Sequence, residues 1–266
     1  MAQQNSTSSR WGDLARVVEQ APKDARISVT AIDLGSGDRF DVRGDDPFKA
    51  ASTIKTLILA AVARAVDEGR LELKQPIALP ERLKVGGSGV LNWLTNGIEL
   101  PLTDHAWLMI AISDNTASNI CIEAATLPAI QVLADELGLK DLKLGRFFLG
   151  RSPAPGEPEN IATTDDLATL LAAIEGGKVS SPAQTAWMLK LLADQQHVDR
   201  LPRALPEGVS YVGKTGSISG HVHDCGILTG PKGSIAIAVL TEDFADEYTV
   251  DAFIGEIGHH AALTLV

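Results

Sequence analysis

Cysteine is scarce in this chain, with only Cys121 and Cys225 among 266 residues. Their spacing fits no metal motif and gives no disulfide scaffold, and each sits in an apolar neighbourhood as a small buried residue. Basic residues are also few, 23 lysines and arginines against 34 aspartates and glutamates, for a formal net charge of −11. That balance argues against nucleic acid and anionic membrane surfaces as partners, although a local basic pocket can sit inside an acidic total. No apolar run approaches a membrane span, and Met1 to Arg10 has no apolar leader core. The chain is therefore expected either in the cytoplasm or as an exported protein whose leader is already gone. Repeats and long linkers are lacking too. No cofactor is expected, and a monomer is.

What is present is a globular composition, 45% apolar, long enough to bury a full core. Residues 1–9 read as a flexible tail, followed by a short amphipathic helix on Trp11, Leu14, Val17 and Val18 that ends near Pro22. Arg26 to Asp33 alternates as a strand, and Gly35-Ser36-Gly37-Asp38 turns it into a second, Arg39 to Arg43. From Ala50 the apolar positions Ile54, Leu57, Ile58, Ala61, Val62 and Ala65 keep helical spacing until Gly69. Helical runs follow over 103–127, broken by Ser113-Asp114-Asn115, then from Pro128 to Leu137, from Thr163 to Leu171, and from Ser181 through Leu192. Strand patterning returns at Val209 to Val212, Val222 to Leu228 and Ser234 to Thr241, and a last helix spans about Asp243 to Leu263. The fold class is thus α+β. Residues 1–50 and 205–266 form a discontinuous sheet domain with terminal helices. Residues 51–204 form a mainly helical domain, and a cleft lies between the two.

Three polar clusters interrupt these patterns. Ser52 and Lys55, three residues apart at the start of a buried helix, fall on one face, where a hydroxyl nucleophile can meet an amine base. Ser113-Asp114-Asn115 separates two helices, and Lys214-Thr215-Gly216 lies among the last strands. In this order they match the Ser-x-x-Lys, Ser-Asp-Asn and Lys-Thr-Gly set of penicillin-binding proteins and class A β-lactamases. The flanking stretches from Asp45 to Ser52, Glu68 to Leu71, Ser113 to Asn119 and Lys214 to Ser217 also resemble the class A β-lactamase-related serine hydrolases, over roughly residues 25 to 260.

That resemblance implies a five-stranded antiparallel sheet beside an all-helical lobe, and an acyl-enzyme on Ser52. Lys55 would be the base, Ser113 the proton relay to a leaving nitrogen, and the N–H groups of Ser52 and Ser217 the oxyanion donors. Lys214, Thr215 and Gly216 would border the place of a substrate carboxylate, and Asn115 would hold both Lys55 and a substrate amide. The expected partner is a small acyl substrate: a β-lactam first, with esters, amides or D-alanyl-D-alanine peptides as alternatives. A slow or non-turning-over penicillin-binding protein is a further alternative.

Two departures matter. Gly156-Glu157-Pro158-Glu159-Asn160 resembles the family's Glu-Pro-Glu-Leu-Asn loop with one residue missing, so Glu157, Glu159 or neither activates the deacylating water; Glu157 is the first candidate. The strand after Lys-Thr-Gly lacks the arginine many class A enzymes use to grip a carboxylate. His221 and His223 could stand in for it weakly. As a zinc pair they lack a third ligand. His105 and Trp107 read as packing residues, and Trp93 as packing or as a cleft-entrance residue.

Overall fold

Residues 9–266 are described by a computed structural model. The tail expected over residues 1–9 lies outside the described residues, except for Ser9, which opens a short 3-10 turn. Five strands form one antiparallel sheet: β1 (Arg26–Asp33), β2 (Arg39–Val42), β3 (Ser210–Ile218), β4 (His221–Gly230) and β5 (Gly233–Glu242). Their spatial order is β2-β1-β5-β4-β3, so the two ends of the chain meet where β1 pairs with β5, Val29 opposite Val239.

Because both faces of the sheet are covered, β5 reads as a nearly unbroken apolar run. Alternate side chains leave a strand on opposite faces. Ile235, Ile237 and Val239 pack with Trp11 of the short N-terminal turn, with Leu14 of the terminal helix α1 (Gly12–Val18), and with Ile254 and Ile257 of α8 (Glu247–Ala262). Ala236, Ala238 and Leu240 join the other core, with the helices of the middle of the chain.

Those helices are α2 (Lys55–Asp67), α3 (Leu102–Ala111), α4 (Asn115–Ala125), α5 (Leu127–Glu136), α6 (Thr164–Glu175) and α7 (Pro182–Ala193). Four of the six, α4 to α7, start on side-chain caps: Asp114 on the Ala117 N–H, Thr126 on Ala129, Thr163 on Asp166 and Ser181 on Gln184. Each cap satisfies an otherwise orphaned donor and contributes about 1 kcal/mol. α6, which runs on to Glu175 beyond the expected end at Leu171, lies directly on β1 and β5. One face of the sheet and the middle helices therefore share a core. Among the described residues no single helix is long and apolar enough to cross a membrane.

Two local differences from the sequence reading bear on the site. Ser52 sits in a 3-10 turn, Ala51–Ile54, and the α-helix proper begins at Lys55. Moreover, β3 does not end at Val212: it continues through Lys214-Thr215-Gly216-Ser217 to Ile218, with Lys214 opposite Cys225 and Gly216 opposite His223. Its polar and small residues hide a strand from periodicity, because the pairing is carried by the backbone.

Candidate active site

The nucleophile turn is held from three sides. The Lys49 carbonyl accepts from His223 Nε2 at 2.9 Å, and the Ala50 N–H donates to the Asn160 carbonyl at 2.8 Å. Edge strand β3 presses against the turn at Gly216, where a Cβ would meet the backbone nitrogens of Ser52 and Thr53 at 3.0 Å each. Only glycine lets the backbones come this close. Ala51, just before the serine, has φ +47°, and Ser113 has φ +58°. Two non-glycine residues in the left-handed region flank one cleft, a pattern of strain held in place by surrounding packing.

Lys55 is fully buried. Its Nζ lies 2.7 Å from the Ser113 carbonyl, 3.0 Å from Ser113 Oγ and 2.9 Å from Asn115 Oδ1, with the Phe148 ring 4.5 Å away. Burial, with the nearby Lys214 charge, holds its pKa well below the ordinary lysine value, against the pull of Asp114. The amine donates to the Ser113 carbonyl, the Ser113 hydroxyl and Asn115 Oδ1. Among the described residues the Ser52 hydroxyl makes no hydrogen bond, and it opens into the cleft.

Asp114 does not face the substrate space. Its Oδ2 accepts from Val90 and Leu91 N–H at 2.6 and 2.9 Å, tying down the glycine-rich segment 86–89 that borders the cleft. Asn115 Nδ2 reaches the Gly86 carbonyl at 3.1 Å. Asn119, one turn on, pairs with both the N–H and the C=O of Phe148, at 2.8 and 3.1 Å, which fixes the ring over Lys55.

Lys214 is fully buried and donates to the Thr215 carbonyl at 2.8 Å. Burial, helped by Arg200, brings its pKa down to about 7, against the pull of Cys225 and Asp224. Arg200, which no sequence pattern singled out, reaches under β3. It donates to Ser217 Oγ at 2.6 Å, to the Gly216 and His223 carbonyls at 3.1 and 2.8 Å, and to Asp251 at 2.7 Å. These bonds hold β3 in place at Gly216 and Ser217, and Arg200 lines the cleft below them. Asp224 anchors its segment, accepting from the Leu201 N–H at 3.0 Å and from Tyr211 at 2.5 Å.

His221 and His223 are otherwise engaged. His223 is buried between the Lys49 carbonyl and the Thr241 N–H, and burial brings its pKa down to about 4. His221 Nε2 lies 3.2 Å from Glu242. Neither lines the cleft, so neither replaces the carboxylate-gripping arginine. His105 is buried against the Ile77 carbonyl, and Trp107 bonds Asp194. Trp93 is 82% exposed and stands outside the cleft lining.

Two cavities meet at Ser52, Ser88 and Ser217. The smaller, about 120 Å³, is walled by Ser113, Thr215, Arg200, His197 and Asp199. The larger, about 320 Å³, runs under the 146–160 loop. Here the two glutamates part. Glu159 lines the larger cavity, held by Arg146 at 2.5 Å and by the Asn160 N–H at 2.8 Å. Glu157 lies outside that lining, paired with Arg151 at 2.7 and 2.9 Å and accepting from the Ala154 N–H. Arg151 above all, with that N–H, brings its pKa down to about 2.

The fold is shared with known proteins. A β-lactamase structure from Sphaerobacter thermophilus superimposes with a TM-score of 0.90 at 40% identity, over 95% of this chain and 96% of that one. A mutant of PBP-A, solved as an acyl-enzyme complex with penicillin G, superimposes with a TM-score of 0.84 at 28% identity, over 96% and 94%. The β-lactamase SME-1 of Serratia marcescens is 29% identical over 159 residues, 59% of this chain, so that the match spans about half (54%) of that relative's length. The sequence profile of the Beta-lactamase enzyme family matches residues 10–264, and the chain belongs to that family.

Proposed function

We propose that the protein is a serine hydrolase that opens β-lactam amides through an acyl group on Ser52. The observation that carries this reading is the buried Lys55 amine, bonded to Ser113 and Asn115, three residues after a serine that lines both cleft cavities. Neutral Lys55 takes the Ser52 proton as Oγ attacks the carbonyl carbon. The oxyanion settles on the Ser52 and Ser217 N–H groups, brought together by the close approach at Gly216. As the C–N bond breaks, the leaving nitrogen takes the Ser113 hydroxyl proton, and Ser113 recovers one from Lys55. The substrate carboxylate sits by Lys214, Thr215 and Arg200.

Deacylation falls to Glu159 in this reading, because of the two loop carboxylates only Glu159 lines the cavity that holds Ser52. It takes a proton from water as the water attacks the acyl carbon, and that proton is passed to Ser52 Oγ as the acyl C–O bond breaks, which leaves Glu159 ionised and Lys55 neutral as they began. A slowly cleared acyl-enzyme is the second reading, favoured by the likeness to PBP-A.

Turnover of a chromogenic cephalosporin, followed beside intact-mass spectrometry, tests the proposal. Turnover abolished in Ser52→Ala, with an adduct mapped to Ser52 in the parent chain, is expected. Unchanged turnover in Ser52→Ala would overturn it. Rapid cleavage of short aryl esters without any β-lactam reaction would move the activity to an esterase.

A further inference from the structure

The chain carries a net charge of −11, yet its larger cleft cavity is lined by Lys49, Arg146 and Arg151 against the single acid Glu159. The charges are not equivalent. Arg146 is matched by Glu159 and Arg151 by Glu157, whereas Lys49 makes no ion pair among the described residues. The Lys49 backbone is nonetheless fixed: it pairs with Ile161, and its carbonyl accepts from His223. Its exposed side chain therefore projects from a rigid point three residues before the nucleophile.

The two cavities lie on either side of Ser52. If Thr215 and Arg200, which line the smaller one, hold the carboxylate there under the charge of buried Lys214, the acyl substituent falls in the larger one, beside Lys49. The geometry points to substrates whose acyl side chain is itself acidic, with the anion seated against Lys49 and Arg151 as a second donor. This specificity rests on the Ser52 acylation reading above. An unpaired ammonium in a partly water-filled cleft attracts an anion at 4–7 Å with about threefold to fivefold effect, and salt weakens it.

Three penicillins that differ only at the side-chain α-carbon provide the test: neutral benzylpenicillin, an α-carboxyl analogue and an α-ammonium analogue. Their ring carboxylate is common, so the Lys214 end sees the same group each time. The α-carboxyl compound is expected to exceed the α-ammonium compound in kcat/KM by about tenfold at low salt. That ratio should fall at least threefold in Lys49→Gln, and the preference should invert in Lys49→Glu. Reading the ratio cancels any general loss from misfolding. A ratio near one, or one that Lys49→Gln leaves unmoved, overturns the proposal. Failure of all three penicillins both to turn over and to leave an adduct on Ser52 would instead overturn the acylation reading. The side-chain preference is then decided by NMR-detected binding of phenylmalonate against phenylacetate: tighter phenylmalonate binding that weakens in Lys49→Gln upholds it, and equal binding refutes it.

Discussion

A methyl group on Gly216 would stand 3.0 Å from the backbone nitrogen of Ser52, tighter than ordinary van der Waals contact between such atoms. Strand β3 and the nucleophile turn thus meet backbone to backbone, and the two N–H groups proposed to hold the oxyanion belong to the two sides of that contact. Gly216→Ala should push them apart by a few tenths of an ångström. Since donors in an oxyanion hole act only within a narrow distance range, kcat is expected to fall about tenfold to a hundredfold. Circular dichroism and Tm should change little. A variant with full kcat would show that the contact has no part in catalysis.

Lys214, with its pKa brought down to about 7, loses its charge close to neutrality. For a substrate bearing a carboxylate, kcat/KM should therefore fall as pH rises above about 7, since that ratio reports the free enzyme. A neutral aryl ester should show a shallower limb. For stability the sign is opposite: between about pH 7 and the ordinary lysine range the unfolded chain holds a proton that the folded chain does not. Over that window this group makes the fold more stable as pH increases. Profiles of the two substrates that run parallel from pH 6 to 9 would contradict this role for Lys214.

How far the sequence disclosed all this depends on what kind of order each part has. The strands Arg26–Asp33 and Ile235–Leu240 and the helix after Ser52 were legible because burial imposes a period on their side chains. Lys214-Thr215-Gly216 was legible as chemistry but not as strand, since small and polar residues carry no such period. Arg200 was invisible: it stands in an irregular connection after α7, and only the folding of that connection beneath β3 brings it to Ser217. The choice between Glu157 and Glu159 was equally closed. It turns on which arginine each carboxylate meets, and a proline-rich loop encodes that only in three dimensions.

Lys55 offers a test of the conflict between stability and activity. Its amine is buried without an ion pair among the described residues, and the fold depresses its protonation. Replacing it with methionine, of similar length and fully apolar, removes that penalty but leaves the Ser113 and Asn115 oxygens without their donor. The two effects oppose each other, and removing the buried amine is the larger. Lys55→Met is expected to raise Tm by a few degrees, about 1 kcal/mol, while acylation of Ser52 slows by about a thousandfold. A lower Tm with activity retained would mean that Lys55 serves structure rather than proton transfer.

The two loop glutamates can be separated by where each reaction stalls. Glu157 is held on the outer side by Arg151, and at a pKa of about 2 it is too weak a base to draw a proton from water efficiently at neutral pH. Glu159 shares the Ser52 cavity, with Arg146 and the Asn160 N–H fixing one of its oxygens. Glu159→Gln should therefore leave acylation intact but stop deacylation, so that intact-mass spectra with benzylpenicillin show a persistent adduct and steady-state kcat drops by about a hundredfold or more. Glu157→Gln should keep kcat within about threefold, since only a surface pair worth at most about 1 kcal/mol is lost. The reverse pattern would mean that the loop rearranges on acylation and delivers Glu157 instead. Equal, unperturbed turnover in both variants would remove general-base deacylation by this loop altogether.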